Sequence, residues 1–373
     1  MNQVCIVGAG FSGAVIAHEL ACAGYKCDVF EARPHVAGNC FTERAGQSGV
    51  MVHRYGPHIF HTDNERVWNY VRRFDEFVSF TNRVKAIANQ RVYTLPINLL
   101  TINQFFGKAF TPAEAKAFIE SMAEQAEHEP ISFEEQALRF IGPDLYEAFF
   151  KGYTLKQWGV HPRELPASIL KRLPVRFNYD DNYYTSRFQG IPRNGYTTIV
   201  EKLLDHSNIT LTLNKKVRRE DCRAYDRVFY TGPLDEWFTF SEGRLAYRTL
   251  DFQEEWHAGD YQGNAVINYC DRDVPWTRIC EHKHFSPWES HDATVIYKEY
   301  SRACGENDIP FYPVRLVDDK QALERYQRLA QEEPRITFVG RLATYRYLDM
   351  DIAIEEALIH ARRFINESKN VIN

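Results

Sequence analysis

The chain has 373 residues, enough for two or three domains of ordinary size or for one large domain carrying insertions. Apolar residues at 44% and charged residues at 25% mark a globular protein and exclude a disordered, fibrous or membrane-embedded one. With 45 basic against 50 acidic side chains the net charge is −5, which excludes generalised attraction to nucleic acid or to an anionic membrane, so any polyanion must be met by individually placed cations. No stretch approaches the ~18 uninterrupted apolar residues of a membrane span. Residues 1–10 read as a strand entering a turn rather than a signal peptide, and a cytoplasmic location is expected. Eight cysteines with no C-x-x-C pair and no zinc spacing read as reduced thiols, several of them buried. Aromatic residues reach 14%, a surplus suited to ring-shaped ligands.

In chain order, the apolar run 4–7 stops at Gly8-Ala9-Gly10-Phe11-Ser12-Gly13 and resumes as a helical pattern through Ala17, Leu20 and Ala21. Gly24 closes that helix, and residues 26–30 read as a second strand ending at Glu31, which completes a βαβ unit. From 98 to 152 the pattern is helical, with capping boxes at Thr111-Pro112-Ala113-Glu114 and Ser132-Phe133-Glu134-Glu135. Strand-like pieces separated by Gly, Asp, Asn and Pro at 179–184 and across 249–299 predict an antiparallel sheet. A helix is expected over 197–206, strands over 209–213 and 227–230, and a last helix over about 351–365. There is no internal repeat and no low-complexity linker, so the domains are expected to interleave.

The spacing Gly8-x-Gly10-x-x-Gly13, between strand and helix, with Glu31 at the end of the next strand, is a dinucleotide-binding fingerprint. Gly8 permits the turn, Gly10 lets a pyrophosphate approach the backbone, Gly13 lets helix and strand pack, and the helix N-terminus offers free N–H groups and a positive dipole. Glu31 would hold an adenosine ribose and repel a 2′-phosphate, which disfavours NADP. The string from Glu31 to Asn39 resembles the extension after the second strand of flavoproteins of the amine-oxidase and glutathione-reductase-like type. Arg33 and Gly38 match it, Ala37 stands where relatives usually carry a second glycine, and FAD is preferred to NAD.

Further strings resemble the UDP-galactopyranose mutase family over nearly the whole chain. They are Gly56-Pro57-His58-Ile59-Phe60-His61-Thr62, Leu95-Pro96-Ile97-Asn98, Lys151 to Gly159 (KGYTLKQWG), Gly190-Ile191-Pro192, Glu281-His282-Lys283-His284-Phe285 and Gly340-Arg341-Leu342. The resemblance implies an α/β fold: a Rossmann-like FAD-binding domain with an inserted helical module and an antiparallel β-sheet substrate domain. The FAD-binding domain would be discontinuous, from 1–80, about 190–232 and 310–373. The helical module would cover about 98–160, and the sheet domain about 81–97, 161–189 and 233–309.

By residue, the resemblance makes Arg172 and Arg278 the phosphate-binding arginines, suited by paired donors and permanent charge to a departing diphosphate. Arg176 is the rival to Arg172. Phe149, Phe150, Tyr153, Thr154 and Trp158 would grip the uridine, although as an unaided pattern they read as core. Tyr183, Tyr312 and Tyr347 would approach the phosphates and sugar, with Asn82, Asn268 and Glu299 near the sugar. His58 and His61 have no third ligand at metal spacing, so no metal is expected; the family places their loop against the flavin, with His61 stabilising its redox state and His58 near flavin and sugar. Pro57 replaces a small residue usual at that place. The flavin contacts would comprise Gly8, Gly10, Phe11, Ser12, Gly13, Glu31, Arg33, Gly38, Asn39, His58, Ile59, Arg341, Asp349, Met350, Asp351 and Ile352.

The activity so implied is reversible isomerisation of UDP-galactopyranose to UDP-galactofuranose through an adduct between reduced flavin N5 and the anomeric carbon, with no net redox change. An external reductant such as NAD(P)H would keep the flavin reduced, a loop around Arg172 would close over substrate, a homodimer is the family expectation, and the product would serve bacterial cell-surface polysaccharide. The same chemistry on UDP-N-acetylgalactosamine or dTDP-fucose remains open, with His58 favouring plain galactose. An FAD-dependent amine oxidase would share the first forty residues but leaves the 151–159 string unexplained, and a nucleotide-sugar-binding module leaves the flavin fingerprint unexplained.

Overall fold

A computed structural model of the chain describes residues 3–123, 128–167, 169, 175–314 and 320–372. Five parallel strands form one sheet in the order Ile209–Thr212, Lys26–Phe30, Gln3–Val7, Arg227–Tyr230, Ile336–Phe338. The first strand is central and buried, and its apolar run Val4 to Ile6 is fully covered, as a strand flanked by helices requires. Helix Phe11–Cys22 packs with the last helix, Met350–Ile372, and with Tyr196–Leu204 over one apolar cluster, so the glycine turn and the start of the last helix are carried by a single core.

The second sheet has seven strands, in the order Tyr312–Pro313, Tyr247–Ala258, Ala293–Ala303, Arg278–Glu281, Val266–Tyr269, Val84–Ala88, Arg91–Leu95. It is antiparallel as expected except at one junction, where Val266–Tyr269 runs parallel to Val84–Ala88. A three-stranded sheet, Phe60–Thr62, Phe188–Pro192 and Phe77–Ser79, carries His61 on its first strand.

The helical module is present, built around Phe133, Ile141, Tyr146 and Phe149. Thr111 forms its full capping box, with its hydroxyl on the Glu114 N–H and the Glu114 carboxylate on the Thr111 N–H. The second box forms only in part: Ser132 accepts from the Glu135 N–H, but the Glu135 carboxylate reaches past it to the Ile131 N–H at 2.9 Å. The helix also breaks at Gly142 (φ +74°) and continues as a π-helical turn, Tyr146–Lys151, before Gly152–Trp158. Two other expectations need correction. Residues 179–184 form bends rather than a strand, because side chains and turns satisfy their backbone groups, as when the Asp180 carboxylate accepts the Asn182 N–H at 3.0 Å. The last helix begins at Met350 and runs on to Ile372, with no breaker after residue 365 to stop it. Cys5, Cys27, Cys222, Cys270 and Cys280 are buried, and all eight thiols are free.

Candidate active site

The glycine turn separates two reasons for having glycine. A Cβ on Gly8, where φ is +104°, would stand 2.0 Å from Thr231 Oγ1, and one on Gly13 would stand 1.9 Å from the Gly8 carbonyl oxygen, so both are required by the fold. Gly10 has φ −76°, and a Cβ there meets nothing nearer than Gly38 Cα at 3.9 Å. Glycine at position 10 therefore leaves open the space before the helix N-terminus, where Phe11 and Ser12 begin a first turn that no side chain caps.

Glu31 is buried, and its carboxylate accepts the N–H groups of Ala9 (2.8 Å) and Arg33 (2.9 Å), one on each oxygen, so each oxygen retains capacity for a ribose hydroxyl. The segment after it folds back on the turn: the Ala37 N–H donates to the Ala9 carbonyl at 2.9 Å. Ala37 itself is left-handed (φ 71°), the conformation that a glycine at this place would adopt without strain. Arg33 donates to Asn39 Oδ1 at 2.8 Å and stacks on Tyr55, while its Nη1 is buried without a partner. Free backbone donors, a ribose acceptor and an orphaned guanidinium nitrogen together fit an adenine dinucleotide.

A cavity of about 950 Å³ is lined by the 55–61 loop, helix Gly152–Trp158, the 183–186 segment, the seven-stranded sheet and residues 346–350 at the start of the last helix. Its charge centre comes from strand register. Asn268 is paired with Arg278, and Arg278 with Glu299, so the three lie in one row across adjacent strands. Glu299 is fully buried and accepts from Arg278 Nε at 2.7 Å and from the Thr277 hydroxyl at 3.4 Å. The carboxylate raises Arg278 well above the usual guanidinium range, against burial, which pulls the other way. The terminal nitrogens of Arg278 make no hydrogen bond among the described residues and border the cavity. Asn268 Oδ1, Asn82 Oδ1 and Gln157 Oε1 are buried acceptors without partners among the described residues.

Three imidazoles hold the 53–58 loop. His282 Nδ1 accepts the His53 N–H at 3.3 Å, and His53 Nδ1 accepts the His58 N–H at 3.1 Å, which requires both acceptor nitrogens to be unprotonated. Burial pushes His282 down to about 3, His58 to about 4 and His53 well below its ordinary value. His58 Nδ1 lies 2.9 Å from the Gly56 carbonyl, so it carries the proton and His58 Nε2 is left as an acceptor. His61 stacks on Tyr184 at 3.7 Å and approaches the Ser186 hydroxyl; burial lowers it, and Asp349 and Asp351 draw it back up.

Lys156, which no sequence argument singled out, sits behind this wall. Its ammonium donates to the carbonyls of Tyr269 (2.6 Å), Asp271 (2.8 Å), Val274 (2.9 Å) and Trp276 (3.1 Å), closing the connection between the strands that carry Asn268 and Arg278. Burial pushes it down to about 8, opposed by Cys270, Asp271 and Asp273. Its signal was a lysine one position before the lining residues Gln157 and Trp158, which composition alone cannot distinguish from a surface lysine.

The structure brings His58, Ile59, His61, Asn82, Tyr153, Trp158, Tyr183, Asn268, Arg278, Tyr312, Arg341, Tyr347, Asp349 and Met350 to the cavity. Arg341 donates to the Leu348 carbonyl at 2.7 Å and lies over the rings of Tyr312 and Tyr347. Phe149 and Phe150 are spent on the module's core, against Tyr93 and Phe105 and against Phe133. Thr154 is likewise buried, and Glu299 serves Arg278 from behind the lining. Asp351 and Ile352 continue the last helix beyond the lining; Ile352 is exposed. Arg172 lies outside the described residues. Its rival Arg176 lines the cavity with Nη2 buried and without a partner among the described residues, while Nη1 donates to the carbonyls of Asp180 and Asn182.

A family model described as UDP-galactopyranose mutase matches residues 148–347, and one described as an NAD(P)-binding Rossmann-like domain matches residues 6–74. The chain is 59% identical over 369 residues to a protein of Klebsiella pneumoniae described as a probable UDP-galactopyranose mutase, covering 99% of this chain and 96% of that protein. It is 52% identical to a dTDP-fucopyranose mutase of Escherichia coli, covering 99% and 100%. A crystal structure of reduced UDP-galactopyranose mutase shares the fold with a TM-score of 0.77 at 14% identity, covering 98% of this chain and 94% of that one.

Gly10→Ala is expected to leave the apoprotein's urea stability within about 1 kcal/mol while weakening dinucleotide binding at least roughly tenfold, as read by equilibrium titration; parallel losses of both would assign Gly10 to the fold instead. Lys156→Met should cost about 2–4 kcal/mol in urea unfolding and raise KM for the nucleotide sugar; an unchanged KM would detach Lys156 from the site. The buried imidazoles titrate near 6.5 when unfolded and far lower when folded. Their contribution to stability is therefore complete above about pH 6.5 and is lost as pH falls towards 4, by up to about 1.4 kcal/mol per pH unit for each proton taken up. Urea unfolding of His282→Gln between pH 7 and 5 should show a flatter pH dependence than the parent, and an identical slope would contradict this reading.

Proposed function

The chain belongs to the UDP-galactopyranose mutase family of isomerases, and on that premise we propose that it interconverts the pyranose and furanose forms of galactose attached to UDP, with FAD in its reduced form as cofactor. The observation that carries this reading is the row Asn268, Arg278, Glu299 at the wall of a large cavity beside the dinucleotide cradle. FAD would be held by the cradle of Gly10, Glu31 and Arg33 and by residues 348–350, and in its reduced form would supply nucleophilic chemistry at the sugar.

The chain's own residues then hold the two halves of the substrate. Arg278, oriented through Nε by Glu299, offers its terminal nitrogens to diphosphate oxygens and stays charged as the phosphate departs. By resemblance Arg172 would be the second phosphate-binding arginine. Tyr153 and Trp158 present ring faces for the uracil, and Tyr183, Tyr312 and Tyr347 present hydroxyls to phosphates and sugar. Burial raises Tyr153, Tyr183 and Tyr312 above the ordinary phenol value, so these three act as neutral donors. Asn82 and Asn268 offer unsatisfied acceptors to sugar hydroxyls. UDP must stay bound to recapture the sugar, which accounts for a site that spends its cations and rings on nucleotide.

The 52% identity to a dTDP-fucopyranose mutase keeps a second donor in view, with the same ring chemistry on a deoxythymidine-linked fucose. The reading further includes a homodimer and an external reductant such as NAD(P)H.

Purified protein should convert UDP-galactofuranose to UDP-galactopyranose under anaerobic conditions with dithionite and not without it, followed by chromatography. Arg278→Ala should lower kcat/KM at least about a hundredfold. Absence of conversion despite bound, reducible FAD, with turnover of dTDP-fucofuranose instead, would transfer the assignment to the second donor.

A further inference from the structure

A second cavity, of about 420 Å³, lies at the opposite end of the parallel sheet from the glycine turn, against the starts of two strands at Val228 and Ile336. Cys222, at the end of the short helical turn Arg219–Cys222, borders it, and its sulfur stands 3.9 Å from the sulfur of Cys5 on the central strand. No other two thiols are in contact among the described residues, and Cys5 does not reach the cavity.

The cavity lining carries three guanidinium groups, on Arg219, Arg223 and Arg335, against two carboxylates, on Glu220 and Glu333. Arg219 is paired with Glu333, but Arg223 and Arg335 form no ion pair among the described residues. Trp237 also borders the cavity, and its indole N–H is buried with no acceptor among the described residues, the residue being only 2% exposed. A buried donor of that kind is costly unless something in the cavity accepts from it. A thiol reached through a space with unpaired guanidinium groups and a free N–H donor, with a second thiol directly behind it, has the arrangement of an oxidisable dithiol rather than of inert core sulfur.

We propose that Cys222 and Cys5 are an attacking and resolving thiol pair that this cavity exposes to hydrogen peroxide. The Cys222 sulfur attacks one peroxide oxygen, the O–O bond breaks, and the departing hydroxide takes the thiol proton and leaves as water, so that Cys222 becomes a sulfenic acid. The Cys5 sulfur then attacks the Cys222 sulfur, the S–O bond breaks, and the hydroxide takes the Cys5 proton as a second water. Two thiols are oxidised to one disulfide, and one peroxide is reduced to two waters. The guanidinium groups and the Trp237 N–H receive the negative oxygen as it develops. Closing the gap to an S–S bond of about 2.0 Å falls on the surface turn 219–222, because Cys5 is fixed in a central strand. Cys222 borders the cavity and Cys5 does not, which assigns the attack to Cys222 and the resolving step to Cys5.

The test treats the flavin-loaded, full-length protein with hydrogen peroxide and maps thiols by mass spectrometry, with dimedone as the trap for sulfenic acid. The parent should lose two hydrogen atoms, give a crosslinked Cys5–Cys222 peptide and take up no dimedone at either position. Cys5→Ala should lose the crosslink and carry dimedone on Cys222, and Cys222→Ser should carry none on Cys5. Oxidation of the exposed Cys22 while Cys222 keeps a free thiol would overturn the proposal, and the parent protein alone can deliver that result. Dimedone on Cys5 in Cys222→Ser, with none on Cys222 in Cys5→Ala, would overturn the assignment of roles.

Discussion

The site depends on one buried ion pair. Glu299 has no solvent exposure, and Arg278 meets it across adjacent strands at 2.7 Å. Two charges taken out of water repay their desolvation only in good geometry with further hydrogen bonds, and removing one partner of such a pair costs about 3–5 kcal/mol. Here the geometry is fixed several times over. The Thr277 hydroxyl and N–H both bond to the Glu299 backbone carbonyl, at 3.1 and 2.8 Å, which locks the strand just before Arg278. Lys156 then clamps the connection on the other side of that strand with four carbonyl contacts. Arg278 is thus placed before any phosphate arrives, and the cost of placing it is borne by folding rather than by binding.

Local signals in the chain were legible wherever their cause is local. The strand limits 26–30 and 227–230, the glycine turn and the Thr111 capping box depend on neighbours a few positions apart, and the structure has them there. The row that makes the charge centre was not legible as a row, because it is a matter of register between strands up to 31 positions apart. Resemblance named its members without their geometry. The aromatic string 149–158 does not form one gripping face, and the reason is physical. Residues 146–151 take a π-helical turn, which draws in an extra residue and rotates the helix Gly152–Trp158 relative to the one before it. Phe149 and Phe150 therefore point into the module's core while Tyr153 and Trp158 reach the cavity.

Of the two rival arginines only Arg176 lies among the described residues. Arg176 is tied by Nη1 to the carbonyls of Asp180 and Asn182 and by an ion pair to Asp180, so it closes the bends that lead into Tyr183. The Tyr183 N–H in turn donates to the Asn82 carbonyl at 2.8 Å. An arginine committed to its own loop can shape a site, but it is poorly placed to follow a phosphate through departure and return. That task suits an arginine whose terminal nitrogens are uncommitted, as those of Arg278 are.

Several of the buried polar atoms without a partner among the described residues lie at the cavity or beside the glycine turn, where a ligand could meet them. Asn82 Oδ1, Asn268 Oδ1 and Gln157 Oε1 are buried acceptors, and Arg176 Nη2 and Arg33 Nη1 are buried donors, each costing about 1–3 kcal/mol if nothing meets it. A ligand rich in hydroxyl donors answers the first group, and anionic oxygens answer the second. A small amine offers neither in quantity, and an amine-oxidase site would spend the same volume on apolar walls around a single C–N bond. A sugar joined to a diphosphate supplies both. The same accounting explains why the acceptors Asn82, Gln157 and Asn268 border the cavity while the guanidinium nitrogen of Arg33 lies by the glycine turn, where a second diphosphate, that of the dinucleotide, would run.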